Sequence, residues 1–306
     1  MMKTRVVVYG GTGYYGRHVV RQLLTKGQNV RVVSRHAEHA REIVGSKVDI
    51  FEGDVTRRED IIKSLQDVDA IVICLSAMSI KLIRKMKAIE RDAVLNIMFE
   101  AKKLNISRLI YMSGYEMRAD LLDELKILEF GAVKIEIEAA LLASDLNWTV
   151  LGDAPAFDLF FAFIKGRKMA VPGGGLKAIP TISAEDVGEI TAQTALREDL
   201  GGQRIRLTGP RAYTFPEVAE LVSDITGVAV QHLAIPLTVV RVVSALLYPF
   251  TPFPRFLYKS LILLNNFPSD LADEVPQDHQ KLLGLFDYEP RTLELEIERR
   301  LGPKDE

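Results

Sequence analysis

RVVVYGGTGYYG, residues 5–16, decides how the rest of the chain is read. An apolar run leads straight into glycines at positions 10, 11, 13 and 16, the pattern of a buried parallel strand that breaks sharply into a helix. Glycine suits such a turn for three reasons. It allows the tight reversal, it lets a pyrophosphate approach the backbone, and it lets helix and strand pack closely. An anion placed there meets the N–H groups of a helix N-terminus, where about half a unit of positive charge is concentrated. The context agrees: Val19, Val20, Leu23 and Leu24 form one stripe of the following helix, which stops at Gly27, and residues 29–34 (NVRVVS) read as a second strand. Strand, helix and strand make a unit of about thirty residues, the size expected of a dinucleotide-binding half. Gly10, Gly11, Thr12, Gly13, Tyr15 and Gly16 are therefore the candidate cofactor loop. The competing reading is a glycine-rich turn of structural use alone.

The end of the second strand separates the two nicotinamide dinucleotides. A carboxylate there accepts hydrogen bonds from the ribose 2′-OH of NAD, whereas an arginine pairs with the 2′-phosphate of NADP. This strand ends in Ser34, Arg35 and His36, with no carboxylate before Glu38. NADP(H) is favoured over NAD(H), with Ser34 and Arg35 at the discriminating position. The alternative is a solvated surface arginine, with Glu38 folded back to serve the ribose.

Farther along, strands and helices alternate. A polar helix over 38–44 and a strand over 48–52 lead to Gly53, Asp54 and Val55, and Thr56 with Glu59 has the spacing of a capping box for a helix through Leu65. Ligands of open parallel sheets gather at the carboxyl ends of the strands, which sets Asp54 and Val55 to meet the adenine. An acid that serves only the start of the next helix is the other reading of Asp54. Residues 69–77 (DAIVICLSA) predict a central strand, nearly all apolar, whose last residues, Leu75, Ser76 and Ala77, would line the middle of the cofactor. After a basic connection at 79–87, a helix is expected over 88–104 and a strand over 108–113 (RLIYMS), which delivers Ser113 to the same edge. A long helical region over 121–144 carries Lys134, and a sixth strand follows at 148–151. Six strands alternating with helices define an α/β fold, a doubly wound parallel sheet.

Beyond Gly152 the rhythm changes. An aromatic stretch at 154–163, a glycine loop at 172–175, a helix from Ser183 to about Arg197 and a short strand at 204–207 come first. Thr214 with Glu217 is a capping box for a helix to Thr226. The tail over 278–301 reads as a helix, a turn at Pro290 and a charged helix. The division expected is a dinucleotide-binding domain over 1–152 and a smaller, mostly helical substrate or partner lobe over 153–306, with part of 182–207 free to return to the first sheet.

Composition narrows the function. A chain of 306 residues holds one such domain and a smaller lobe. Lys and Arg total 39 against 41 Asp and Glu, a net charge of −2, with no basic cluster or aromatic-interleaved patch, which argues against nucleic-acid binding. The single cysteine, Cys74, sits in an apolar run and reads as a core residue rather than a nucleophile; it allows no disulfide within the chain. The histidines are scattered without a HExxH-type partner, so no metal is expected. The first strand begins within a few residues of Met1, leaving no room for a secretory signal, and points to a cytoplasmic protein.

Residues 235–264 are the most hydrophobic stretch. Their longest run without a charge, 242–254, contains Pro249, Pro252 and Pro254 and cannot cross a bilayer, which takes about twenty apolar helical residues. Burial over an apolar substrate pocket is the favoured reading. The other is a peripheral surface that presents Arg241, Arg255 and Lys259 beside aromatic residues to a membrane or a protein.

With these residues in hand, the chain resembles the NmrA-like branch of the atypical short-chain dehydrogenase/reductases, an NAD(P)H-binding, extended Rossmann family. The likeness runs over 3–301. It rests on GGTGYYG, Arg35, GDV at 53–55, the serine ending RLIYMS, a lysine in the helix that follows, SAEDVGE at 183–189 and LTGP at 207–210. It implies that Arg35 holds NADP and that the Ser113 hydroxyl polarises a carbonyl. Lys134 matches the lysine of a Tyr-x-x-x-Lys pair, whose charge lowers the phenol pKa so that the tyrosine exchanges a proton with substrate. Here the chain departs from the family: four residues before Lys134 stands Phe130, and a phenyl ring transfers no proton. Isoflavone-reductase-like relatives similarly keep the lysine without that tyrosine, which implies Lys134 itself as proton donor. Alternatively it only hydrogen-bonds the cofactor ribose. Tyr115 is a substitute acid or a plain loop residue. A second departure is Gly152 with Asp153, where relatives often carry Arg and Pro; Pro155 and Phe157 would then supply the bend and the nicotinamide wall.

Two functions compete. The first is an NADPH-dependent reductase of an apolar carbonyl, enone or quinone-like substrate. The second, motivated by Phe130 and the apolar 235–264, is a non-catalytic NADP(H)-binding redox sensor or assembly and accessory subunit. A sugar-nucleotide epimerase is disfavoured, because that chemistry leans on the missing tyrosine.

Overall fold

Val6, Val7, Val8 and Tyr9 carry no charge to keep in water, and all four are buried at the centre of a sheet in the computed structural model, which describes residues 4–302. Contacts divide the chain into two compact units. The first takes residues up to 117 together with 131–153 and 184–206; the second takes 118–130, 154–183 and the chain from 207 onward.

The first unit is built on a seven-stranded sheet of β1 (Arg5–Tyr9), β2 (Asn29–Ser34), β3 (Asp49–Glu52), β4 (Ala70–Ile73), β5 (Arg108–Gly114), β6 (Asn147–Asp153) and β10 (Gln203–Leu207). Their order is β3-β2-β1-β4-β5-β6-β10. The pairs from β3 to β6 are all parallel, with Val8 in register with Val32 on one side and Val72 on the other. The order reverses direction between β1 and β4, the switch point at which such sheets hold ligands. One sheet face is covered by α1 (Gly16–Thr25), whose Val19, Val20 and Leu23 are buried, and by α8 (Ala184–Ala195), which packs against it. Gly188 makes that approach possible, because a Cβ there would fall 2.6 Å from His18 Cβ. Its remaining helices are α2 (Ala37–Val44), α3 (Arg58–Ser64), α4 (Ala93–Lys103) and, from residue 131, α6 (Leu128–Leu142), while α5 (Ala119–Glu124) falls in the second unit.

Arg108 ties β5, β6 and α8 together. Its buried guanidinium donates to the Asn147 carbonyl at 2.9 Å, to Thr149 Oγ1 at 2.9 Å and to the Thr194 carbonyl at 2.6 Å. Burial pulls its pKa down to about 10, so it remains charged at neutral pH.

The second unit contains α7 (Asp158–Phe161), a hairpin of β7 (Ile164–Lys165) and β8 (Lys168–Pro172), the pair β9 (Ile179–Pro180) and β11 (Ala212–Tyr213), and α9 (Phe215–Thr226). β12 (Gln231–Ile235) joins β8 in parallel. Phe160, Phe163, Tyr213 and Phe215 meet edge to face, with centroids 4.9–6.2 Å apart. The Thr214–Glu217 capping box forms as expected. α10 (Leu237–Leu247), α11 (Phe253–Asn265), α12 (Ser269–Asp273), α13 (Val275–Leu285) and α14 (Leu293–Leu301) complete the chain.

Several local expectations are corrected. Thr56 and Glu59 form no capping box: α3 starts at Arg58, and the Thr56 hydroxyl bonds instead to Asp54. The strand expected over 69–77 ends at Ile73, leaving 74–77 as extended loop, and Cys74 is only half-buried there. The helix expected over 88–104 opens with a π-turn, Lys87–Asp92. The single helix expected over 121–144 is two, broken where Lys126 takes a φ of +57°. Burial of 235–264 holds only in part: α10 exposes most of its apolar side chains, whereas α11 keeps Lys259 and Leu261 buried and most of its other residues half-buried.

Replacing Arg108 by leucine keeps volume but orphans three buried acceptors. Equilibrium urea unfolding is expected to show a loss of about 2–4 kcal/mol; a loss within error would remove Arg108 from its place as the tie between β5, β6 and α8.

Candidate functional site

The glycine loop is fixed by its neighbours on every side. Gly10 has a φ of +81°, and a Cβ there would lie 2.5 Å from the Cys74 carbonyl oxygen. At Gly11 a Cβ would meet a Val32 methyl at 2.7 Å, and at Gly16 it would fall 2.1 Å from the Gly10 carbonyl oxygen. The Gly13 N–H closes the turn on that same carbonyl at 2.9 Å. Gly13 is exposed and Thr12 half-buried, so the loop's outer rim is open while its inner side is sealed. α1 starts behind it from Tyr15, which gives no side-chain cap, and has no acidic residue in its first turn. Both features suit an anion. The cradle therefore fits the pyrophosphate of a dinucleotide.

Ser34 and Arg35 stand at the end of β2, Arg35 exposed. Glu38 does not fold back beside them; it pairs along α2 with Arg41 at 2.7 Å. The Asp54 carboxylate accepts from the Thr56 N–H at 2.9 Å and hydroxyl at 2.8 Å. Partial burial of Asp54 works against its charge, but these bonds and the charges of Arg35 and Lys85 prevail and hold its pKa low. Arg35 and Lys85 thus act on the same edge. Val55 packs in part against the sheet core, as does Leu75. Ser76 is exposed, whereas Ala77 is buried and its N–H donates to Glu90 at 2.5 Å.

At the ends of β5 and β6 lies a cluster of ionisable groups. Lys134, on α6, points its Nζ at the Met112 carbonyl oxygen, 3.3 Å away, and sits 5.6 Å from the centre of the Tyr111 ring. Burial opposes the ammonium, but Tyr111, Glu90, Asp153 and Glu138 outweigh it and raise the Lys134 pKa above the ordinary value. Asp153, last in β6 and in register with Gly114, behaves in the opposite sense. Burial pushes its pKa up to about 7, with Lys134 and Arg204 pulling it back.

Ser113 is buried, and its hydroxyl donates to the Glu138 carboxylate. Glu138 in turn pairs with Arg204 Nε at 2.9 Å, and the same guanidinium donates to the carbonyls of Gly114 at 2.8 Å and Tyr115 at 3.0 Å. Tyr115 is buried, with the Arg206 guanidinium 5.5 Å above its ring. Phe130, one helical turn before Lys134, packs on Phe256 with centroids 4.9 Å apart.

The residues missed in the sequence are Glu90, Glu138, Arg204 and the full weight of Asp153. Glu138 had a signal, lying four residues after Lys134 and so on the same helical face. Asp153 had one too, a charge ending an apolar strand. Glu90 had none, since the π-turn turns it inward.

Comparisons with known proteins bear on the family and the fold. The family model described as NAD(P)H-binding matches residues 10–197. A chloroplastic divinyl chlorophyllide a 8-vinyl-reductase of Arabidopsis thaliana is 26% identical over 79% of this chain; the match spans 62% of that reductase, less than two thirds of its length. A photosystem II assembly factor of Synechocystis sp. is 22% identical over 97% of this chain and 91% of its own. Among solved structures, Citrobacter sp. triphenylmethane reductase complexed with NADP(H) superposes with a TM-score of 0.75 at 17% identity, covering 97% of this chain and 100% of that one.

The raised Asp153 pKa has a stability consequence of definite sign. Below the ordinary carboxylate value of 3.8 the group is protonated in both folded and unfolded chains and costs nothing; between there and about 7 the unfolded chain releases the proton and the folded one keeps it. Relative to Asp153→Asn, the wild type should lose stability progressively across that window and then run parallel to it. Urea unfolding of both proteins at a series of pH values checks this; parallel curves from pH 4 to 7 would refute it.

Proposed function

Since the chain belongs to the family described as NAD(P)H-binding, we propose that it is an NADP(H)-dependent reductase of the atypical short-chain type, acting on an apolar carbonyl, enone or quinone-like compound. The observation that carries this reading is the pairing, at the end of the parallel sheet, of an ammonium held charged with a carboxyl that titrates near neutrality, Lys134 and Asp153. Environments that push two ionisable groups apart in this way mark acid–base roles. The loop from Gly10 to Gly16 binds the pyrophosphate, Arg35 takes the 2′-phosphate, and Asp54 with Val55 borders the adenine. Leu75, Ser76 and Ala77 flank the middle of the cofactor. The nicotinamide, when bound, supplies or accepts the hydride.

Lys134 is too firmly protonated to be an efficient donor at neutral pH, so its task is to hold the ribose and to offer positive charge to a developing oxyanion. Asp153, matched to neutral pH, is the better proton donor. Ser113 acts through Glu138 to fix the end of β5, and Tyr115 is held beside it. A triphenylmethane reductase shares this fold, which supports the reductase reading.

A second reading, an NADP(H)-binding assembly or accessory protein, is favoured by Phe130, which fills the position of the family's acid with a ring packed on Phe256, and by the likeness to a photosystem II assembly factor over nearly the whole chain.

Calorimetric titration with NADPH, NADP+, NADH and NAD+ tests cofactor choice. Arg35→Ala is expected to weaken only the phosphorylated forms, by about 1.5–3 kcal/mol; equal weakening of all four would sink the role of Arg35. Turnover of NADPH with a panel of enones and quinones, lowered about a hundredfold in Asp153→Asn and in Lys134→Met, separates the two functions. Tight NADPH binding with no turnover in the wild type would establish the accessory reading instead.

A further inference from the structure

α10 draws little of itself inward. Its inner stripe is Leu237, Val240 and Ser244, three or four residues apart, of which only Ser244 is fully buried. On the other side Val242, Leu246 and Phe250 recur at helical spacing and are 54%, 69% and 77% exposed. Val239 and Val243 widen the stripe, and Leu257 on α11 is exposed as well. A continuous apolar surface of this kind is costly in water and marks a site that something covers. Neither helix crosses a membrane: they have 11 and 13 residues against the roughly twenty needed, and among the described residues no helix is long and apolar enough.

Charge identifies the cover. From 225 to 269 the sequence holds no Asp or Glu, and its cationic side chains are Arg241, Arg255 and Lys259. Lys259 is buried against Glu129 of the second unit. Arg241 is exposed beside the apolar stripe, and Arg255, also exposed, lies 5.1 Å over the Tyr248 ring at the far end of α10 and 3.9 Å from the same Glu129 carboxylate. A protein partner is met by a rim of mixed sign, with donors, acceptors and both charges. Here Arg241, Arg255 and Lys259 outweigh the Glu129 carboxylate, so the rim is net cationic as well as aromatic; the apolar stripe lies between, and Pro249, Pro252 and Pro254 split the segment into two short helices. That arrangement matches an anionic lipid interface, where aliphatic side chains enter the acyl boundary and arginines meet phosphate groups.

We propose that α10 and α11 form an in-plane docking surface for anionic lipid bilayers. The surface is built from residues apart from those assigned to the cofactor, so it stands or falls separately from the redox reading.

Co-sedimentation of the full chain with vesicles tests it. Vesicles of phosphatidylcholine with a one-third share of phosphatidylglycerol should carry the protein down, those of phosphatidylcholine alone much less, and added salt should release it. The double variant Leu246→Ser, Phe250→Ser should bind anionic vesicles at least about tenfold more weakly, and Arg241→Glu several-fold more weakly. Both changes fall on exposed side chains, and an unchanged thermal melt and unchanged NADPH titration show that each variant is folded. A wild type that ignores anionic vesicles, or a double variant that binds them as well as the wild type does, overturns the proposal. So does a concentration-dependent dimer, measured by light scattering, that the double variant abolishes while vesicles leave the wild type unbound; the face would then be an interface between copies of the chain.

Discussion

At Gly16 the backbone of α1 runs so close to the Gly10 carbonyl that one added carbon would lie 2.1 Å from its oxygen. Much of the first unit depends on that approach. It sets the angle at which α1 leaves β1, and so lets Val19, Val20 and Leu23 seat on the sheet. Gly10 repeats the constraint on the other side, where Cys74 leaves the end of β4. The turn is therefore clamped between a helix and a neighbouring strand end, at the point where the strand order reverses. A side chain at either position would open the cradle and separate the elements together, so binding geometry and packing are one constraint here.

The carboxyl edge of the sheet carries a second kind of constraint, electrostatic. Lys134, Asp153, Glu90, Glu138 and Arg204 are partly or fully buried within a few strands of one another. An isolated charge in such a place is expensive, and groups in that position either pair or neutralise. Both outcomes occur. Glu138 is saturated by Ser113 and Arg204, and Glu90 accepts from the Ala77 N–H. At Asp153 burial outweighs a backbone hydrogen bond and the charges of Lys134 and Arg204, and its proton affinity rises. Ser113 illustrates the cost of this arrangement for a simple carry-over of roles: a hydroxyl has one proton to give, and here it goes to Glu138.

The features legible in the sequence were those in which backbone conformation restricts residue type. The glycines at 10, 11, 13 and 16, the capping box at Thr214 and the apolar parallel strands are of that kind, because few residues tolerate a positive φ or a surface buried on both sides. Features that depend on a partner far along the chain were hidden. Thr56 was spaced to cap α3, but Asp54 competed for its hydroxyl. The break at Lys126 and the π-turn at Lys87–Asp92 occur where the sequence has neither glycine nor proline. Which of the two readings of α10 holds is hidden for a related reason. Composition reports that a segment is apolar and is silent on which side the protein body lies.

Phe130 is the residue on which a catalytic reading has to be argued. In the usual arrangement a lysine lowers the pKa of a tyrosine one helical turn away, and the phenol moves the proton. With phenylalanine there, the lysine would have nothing to tune. Lys134 nevertheless retains a tuning role, because burial would drive Asp153 higher still and the ammonium opposes it. The physical device is the same, a fixed positive charge bringing a neighbouring acid toward neutral pH. Under the reductase reading only the acid has changed, from a phenol on the helix to a carboxyl at the end of the adjacent strand. A carboxyl needs burial to be raised as much as a phenol needs charge to be lowered, and β6, buried from Trp148 to Gly152, ends where that burial is available.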